Sequence, residues 1–220
     1  MNKIFQFGEV VEGYNIPVLN EREIRAAAGI LFLATFLSFM FIMFKVNFVP
    51  IKYIITIFLT DFLIRVFINP KYAPSLILGR LMVRNQTPEY VGAAQKKFAW
   101  IIGVVLASAM FVFFNIVNAY SIFTGLICLV CMVFLFFESA FGICLGCKFY
   151  PLFFKGKVQH CPGEVCEVKD RHEIQKTSVV QLLIVLAFIA LIVLTVFLFK
   201  DFYAEKPFDL FGLETPAQAK

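Results

Sequence analysis

Residues 179–199 read VVQLLIVLAFIALIVLTVFLF, without one charged side chain. The hydrocarbon core of a bilayer is about 30 Å thick and is crossed by roughly 20 helical residues. It offers no water to satisfy a backbone, so an open segment crosses it only as a helix. A run of this length and composition is therefore read as a membrane-spanning helix, and four earlier segments repeat the pattern: about Ile24–Phe44, Pro50–Ile68, Phe98–Val117 and Tyr120–Phe141. The expected fold is all-α, a polytopic membrane helix bundle with about five transmembrane helices. The composition agrees. The chain is 60% hydrophobic and 16% charged, with 29 phenylalanines, whereas a soluble domain has about 45–50% apolar and 25% charged residues.

Local signals place the ends of these helices. Asn20 is a candidate N-cap for the first, with Glu23 three residues on in a capping-box-like position. Glu9, Glu12, Glu21 and Glu23 precede a first apolar run too long for a signal-peptide core, so that run is expected to be a true span. Pro50 suits the first turn of the second helix, and the second helix should stop before Pro70. The third and fourth spans, joined through Asn118 and Ala119, should form a helical hairpin.

The net charge of +5 is read as topology rather than as affinity for nucleic acid, and no nucleic-acid partner is expected beside the lipid bilayer. With five spans the termini lie on opposite sides. Fourteen lysines and arginines fall in the N-terminal tail, the second-to-third connection and the fourth-to-fifth connection, against five on the other side, with Arg65 inside a span. The positive-inside rule then makes the basic side cytoplasmic. The expected organisation is a cytoplasmic N-terminal segment (1–23), a four-helix membrane domain (24–150), a cytoplasmic cysteine-containing loop (151–177), a fifth transmembrane helix (178–200) and a periplasmic tail (201–220), in a bacterial inner membrane.

Between the second and third spans, NPKYAPSLILGRLMVRNQTPEY (69–90) suggests a short interfacial helix over Ser75–Arg84. Arg80 and Arg84, four apart, would share a polar face and could attract an anion at the mouth of the bundle.

The segment ESAFGICLGCKFYP, residues 138–151, carries a Gly-x-Cys-Leu-Gly-Cys box: Gly142, Cys144, Leu145, Gly146 and Cys147, followed by Tyr150. With Asn69-Pro70 after the second span and KKFAW (96–100) opening the third, it resembles a family of small bacterial integral-membrane proteins designated a domain of unknown function. The resemblance spans roughly Val18 to Tyr150 and implies a four-helix membrane domain whose last shared helix closes on the cysteine box. It also implies an association with thioredoxin-like or sulfurtransferase proteins. The chain departs from that pattern by a second cysteine cluster and a fifth span.

The four cysteines follow C-x2-C-x13-C-x4-C: Cys144, Cys147, Cys161 and Cys166. Two close pairs separated by a short loop are compatible with a four-sulfur Zn or Fe–S site, with His160 and His172 as spare ligands. The competing reading is thiol chemistry, with Cys144 and Cys147 as the working pair and Cys161 and Cys166 as a resolving pair, the latter brought together by the Pro162-Gly163 turn. A third reading is inert packing. A cytoplasmic loop argues against stable structural disulfides. If the first pair follows a helix C-terminus, the helix dipole opposes a thiolate there. Cys128 and Cys131, three apart within the fourth span, are read as packing, the alternative being a sulfur path toward Cys144.

Asp61 and Arg65 lie four apart inside the second span. Each would cost about 2.5–3.5 kcal/mol at the midplane if unpaired, so the two are expected to pair. Glu138 is expected to join them in one intramembrane cluster beneath Cys144. No Walker loop, dinucleotide fingerprint or hydrolase triad is present. Three functional classes remain: thiol–disulfide or sulfur exchange with a cytoplasmic thioredoxin-like or sulfurtransferase partner, transport of an inorganic sulfur-containing anion, or a structural module with a metal-clipped loop.

Overall fold

The computed structural model describes residues 7–11, 16–150 and 177–209. Helix α1 is Glu21–Lys45. Helix α2 is Val49–Leu63 and winds on as a π-helix over Ile64–Ile68. A 3-10 turn, Pro70–Tyr72, leads into α3, Pro74–Val83. Helix α4 spans Ala93–Ile116 and α5 spans Ile122–Phe141, each ending in a π-helical turn, Val112–Ile116 and Phe137–Phe141. A one-turn helix α6, Leu145–Lys148, carries the cysteine box. Helix α7 is Val179–Leu198 and α8 is Lys200–Ala204. Strands β1 (Val18–Asn20) and β2 (Tyr90–Gly92) pair antiparallel, Leu19 opposite Val91. Strands β3 (Ala119–Tyr120) and β4 (Phe208–Asp209) pair parallel.

The molecule is an all-α membrane bundle. Among the described residues four helices, α1, α4, α5 and α7, are long and apolar enough to cross a membrane. The expected second span corresponds to α2 with its π turn. That helix carries Lys52, Asp61 and Arg65, and all three are buried inside the protein. Its ends sit with those of its neighbours. Lys52 Nζ donates to Asn118 Oδ1 at 2.7 Å and to the Glu205 carbonyl at 2.6 Å, which ties the start of α2 to the α4–α5 turn and to the segment after α8. At the other end, Gln181 Nε2 at the start of α7 donates to the carbonyl of Lys71 just beyond α2, at 3.0 Å. The chain thus passes between the two ends of the bundle five times.

The sequence signals for the helix ends hold. The side chain of Asn20 accepts from the Arg22 N–H, and its amide donates to Glu23 Oε1 at 3.0 Å. Proline stands in the first turn of α2. Asn69, ahead of Pro70, is extended (φ −168°, ψ 136°) and ends the helix. Asn118, at φ +54°, makes the hairpin turn, and Ser121 caps α5 with a capping box closed by Thr124.

Two expectations are corrected. Helix α4 begins at Ala93 rather than near Phe98 and so takes Lys96 and Lys97 into its first turns, because buried carboxylates neutralise Lys96. Helix α3 is also not an amphipathic cap on the headgroups. Pro74, Ser75, Leu76, Ile77, Gly79 and Arg80 are buried, and the helix lies directly on α1. A Cβ on Gly79 would stand 2.5 Å from the Glu23 carbonyl oxygen, so only glycine lets the two backbones approach this closely, as small residues do between membrane helices.

Two apolar cores fill the bundle. Ile24, Leu31, Phe62, Trp100 and Leu135 pack toward the end that carries the cysteine box. Phe48, Ile51, Ile55, Met110, Phe114 and Met132 pack toward the other. Helix α7 buries only Gln181 and Val185 and otherwise presents an apolar surface suited to lipid.

Candidate functional site at the polar end of the bundle

The last turn of α5 closes with Gly142 in the left-handed region, φ +67°. Its N–H bonds to the Glu138 carbonyl at 3.1 Å, and the N–H of Ile143 reaches back to the Phe137 carbonyl at 3.0 Å. These two bonds satisfy the helix-terminal carbonyls and reverse the chain. Cys144 follows the C-terminus of α5, as expected, but across a reversal of the chain. It is extended (φ −77°, ψ 95°) and opens α6, its Sγ accepting the N–H of Cys147 at 3.2 Å. The electrostatic argument against a thiolate is corrected accordingly: the sulfur faces an N–H donor, not a helix carboxyl end.

Cys144 and Cys147 are joined as a disulfide, with Cα atoms 5.2 Å apart. The bond closes a loop of one turn. In the chain-entropy picture such a loop contributes about 2 kcal/mol, and it ties no separate elements together. Three contacts fix the turn on α4. Cys147 Sγ lies 3.6 Å from the Gln95 carbonyl oxygen, where a thiol would find an acceptor. A Cβ on Gly146 would come within 2.8 Å of the Ala99 Cβ, which explains the glycine inside the box. Tyr150 packs edge-on against Phe98, with ring centroids 5.7 Å apart. Both sulfurs are half-buried, whereas Lys148 beside them is exposed.

Three buried ionic groups underpin this end. Asp61 Oδ2 accepts from Arg65 Nε at 2.7 Å. Asp61 also accepts from the N–H of Ser75 at 2.9 Å and from its hydroxyl at 2.6 Å. Arg65 lies over the rings of Phe62 and Trp100, 4.5 and 5.2 Å from their centroids. Glu138 does not join this pair. It binds Lys96 at 2.5 Å, and Lys96 also binds Glu21 at 2.8 Å, so the predicted single cluster is two separate networks. In the third group, Glu23 accepts from Arg80 at 3.0 Å. Arg80 is therefore buried and neutralised, whereas Arg84 is exposed, and the two do not form a common cationic face.

Lys96, Glu21, Glu23 and Ser75 are thus site residues that the sequence reading missed. Their signal was present: two glutamates in the first turn of a membrane helix demand buried partners. Of the three π-helical turns among the described residues, two carry an ionic partner, Arg65 or Glu138, and the third carries Asn115, which donates to Thr56 Oγ1 at 3.0 Å. π-helical turns often occur at functional positions.

Cys128 and Cys131 are free. They line a small apolar cavity of about 30 Å³ with Ile51, Phe58 and Met110, which fits the packing reading. Cys161, Cys166, His160 and His172 lie outside the described residues. Among the described residues no three His, Cys, Asp or Glu side chains are grouped as a metal site, and the disulfide occupies two of the four sulfurs a Zn or Fe–S site would need.

A family model described as Domain of unknown function (DUF4395) matches residues 19–155, more than half of the chain. The chain belongs to this family. The DUF4395 region runs from β1 through α6, so the ionic networks and the disulfide fall inside it, while α7 and the segment after it lie beyond it. No curated protein and no solved structure matches the chain.

Proposed function

We propose that this multi-pass membrane protein exchanges electrons between its Cys144–Cys147 pair and a soluble dithiol protein of the thioredoxin-like class. The observation that carries the reading is the disulfide itself. It is closed within one turn, half-buried at an end of the bundle, and of little use as a staple. A thiolate of the partner attacks one sulfur of the pair. The Cys144–Cys147 bond breaks, a mixed disulfide forms, and the displaced cysteine leaves as a thiolate that takes up a proton. The partner's second thiol then attacks the mixed disulfide. Two electrons and two protons end on Cys144 and Cys147, and the partner leaves as a disulfide. Transfer is set by the relative reduction potentials of the two pairs. Cys161 and Cys166 would act as the resolving pair.

The basic asymmetry of the connections supports an orientation with the cysteine end and the N-terminus in the cytoplasm and the C-terminus in the periplasm, and the proposed setting is a bacterial inner membrane. Anion transport is less well supported, because Arg65 and Arg80 each face a buried carboxylate.

The test is alkylation mass spectrometry on membranes equilibrated with a thioredoxin-like reductant. Cys144 and Cys147 should gain label together, and lose it when the oxidised reductant is supplied. A pair that the soluble dithiol cannot reach, or that stays fixed in one state across the accessible potential range, would sink the proposal. A reporter fusion at Lys157 that is active on the periplasmic side would overturn the orientation.

A further inference from the structure

A groove of about 600 Å³ runs along the outside of α1, walled by Arg22, Arg25, Gly29 and Leu33 on α1, Met82 on α3, Gln86 and Glu89 in the connection that follows α3, and Ser139 on the last turn of α5. From Arg22 to Leu33 a helix rises about 16 Å, roughly half a hydrocarbon core. Helix α1 is one of the membrane-crossing helices. The arginines therefore stand at the level of headgroups, the leucine about one leaflet deep, and the glycine between them, roughly 6 Å below Arg25. Leu33 and Met82 are 56% and 67% exposed, so the groove opens sideways to lipid rather than into the bundle.

Its upper end carries two arginines, of which Arg22 is salt-bridged to Glu89 and Arg25 acts on the buried Glu21 only at longer range. Arg25 donates to the Ala140 carbonyl at 3.3 Å, and among the described residues no carboxylate lies within salt-bridge distance of it. Arg22 binds Glu89 and Gln86 through its terminal nitrogens, which leaves its Nε buried without a partner. Among the lining side chains two guanidiniums stand against one carboxylate, and guanidinium is suited to phosphate oxygens. Below them the wall is apolar.

We infer that this groove holds one anionic phospholipid, its phosphate on Arg25 and Arg22 and one acyl chain beside Gly29 and Leu33. Basic pockets between membrane helices above apolar walls suit anionic headgroups. Gly29 keeps the chain path open, since a Cβ there would meet only the Ser139 Cβ, at 3.7 Å, and a longer side chain would project into the groove. The headgroup would lie beside the turn into the cysteine box, because the Arg25 side chain passes 3.3 Å from the position of a Cβ on Gly142.

The experiment is native mass spectrometry of the delipidated full chain titrated with phosphatidylglycerol or with phosphatidylcholine of the same acyl chains. One phosphatidylglycerol should be retained at least tenfold more tightly than phosphatidylcholine. Arg25→Ala and Gly29→Leu should each lower that retention about tenfold, and excess inorganic phosphate should not displace the lipid. Equal retention of the two lipids, displacement by phosphate, or undiminished retention by either variant would overturn the inference. If a variant fails to fold, the lipid preference of the parent and the phosphate competition decide the question alone.

Discussion

Lys96 Nζ lies 2.5 Å from Glu138 Oε1, a contact that ties the start of α4 to the last turn of α5 four residues before the cysteine box turns away. The same ammonium holds Glu21 at the start of α1, so one cation joins three helices. The expected intramembrane cluster was built on Asp61, Arg65 and Glu138. The structure divides that charge between two cations.

Removing the shared cation should cost more than removing either anion. Lys96→Met strands two carboxylates in a protein interior, and breaking a buried pair typically costs about 3–5 kcal/mol. Glu138→Gln leaves Lys96 bound to Glu21 and should cost clearly less. Thermal melts in detergent check the order, and equal melting temperatures for the two variants would count against a shared network.

The Asp61–Arg65 pair should be similarly asymmetric. Arg65→Leu leaves Asp61 with only the Ser75 donors and should cost about 3–5 kcal/mol. Asp61→Asn leaves Arg65 over the rings of Phe62 and Trp100 and within 2.5 Å of the Ser75 hydroxyl, contacts that soften the loss of its counter-ion. It should therefore be the milder change. Denaturation in which Asp61→Asn is as severe as Arg65→Leu would show that the aromatic and hydroxyl contacts do not compensate.

These networks show what a sequence can reveal. Asp61–Arg65 was legible because both partners sit on one helix at a spacing that geometry fixes. The cap at Asn20, the first-turn Pro50 and the stop before Pro70 were legible for the same local reason. The partner of Glu138 was not, because it depends on the rotation of α5 against α4, and nothing local records that rotation. Arg80 was misplaced because apolar residues ending in two arginines describe an interfacial helix and a helix buried against α1 equally well. What distinguishes them is Gly79, whose purpose appears only when the Glu23 carbonyl is seen beside it. The electrostatics of the cysteine box were not legible. The left-handed turn at Gly142 separates it from α5, and one glycine can either cap a helix or pass unnoticed.

Gly79→Ala should accordingly be disruptive, whereas Gly29→Ala on the facing helix should be nearly silent. The first Cβ meets backbone atoms that cannot swing aside, Glu23 O at 2.5 Å and Ala27 N at 3.1 Å. Overpacking of this kind costs about 1–3 kcal/mol. The second meets a Cβ at ordinary van der Waals distance. Melting temperatures of the two alanine variants, side by side, test the close α1–α3 approach. A stable Gly79→Ala protein would contradict it.

The cysteine turn should separate stability from reactivity. Reducing Cys144–Cys147 opens a loop of one turn, so the melting temperature should fall only slightly, consistent with a contribution of about 2 kcal/mol or less. Gly146→Ala acts on a different property. Its Cβ would sit 2.8 Å from the Ala99 Cβ and 3.1 Å from the Ala99 Cα, so the turn must lift from α4 and carry Cys147 away from the Gln95 carbonyl. The lifted turn exposes both sulfurs, while the ionic networks beneath it stay intact. Reduction of the disulfide by a small dithiol, and alkylation of the freed thiols, should therefore become several-fold faster in Gly146→Ala, with little loss of thermal stability. Stopped-flow reduction and timed alkylation give the rates, and a parallel melt gives the control. Unchanged rates in a folded Gly146→Ala protein would show that packing against Ala99 does not govern access to the pair.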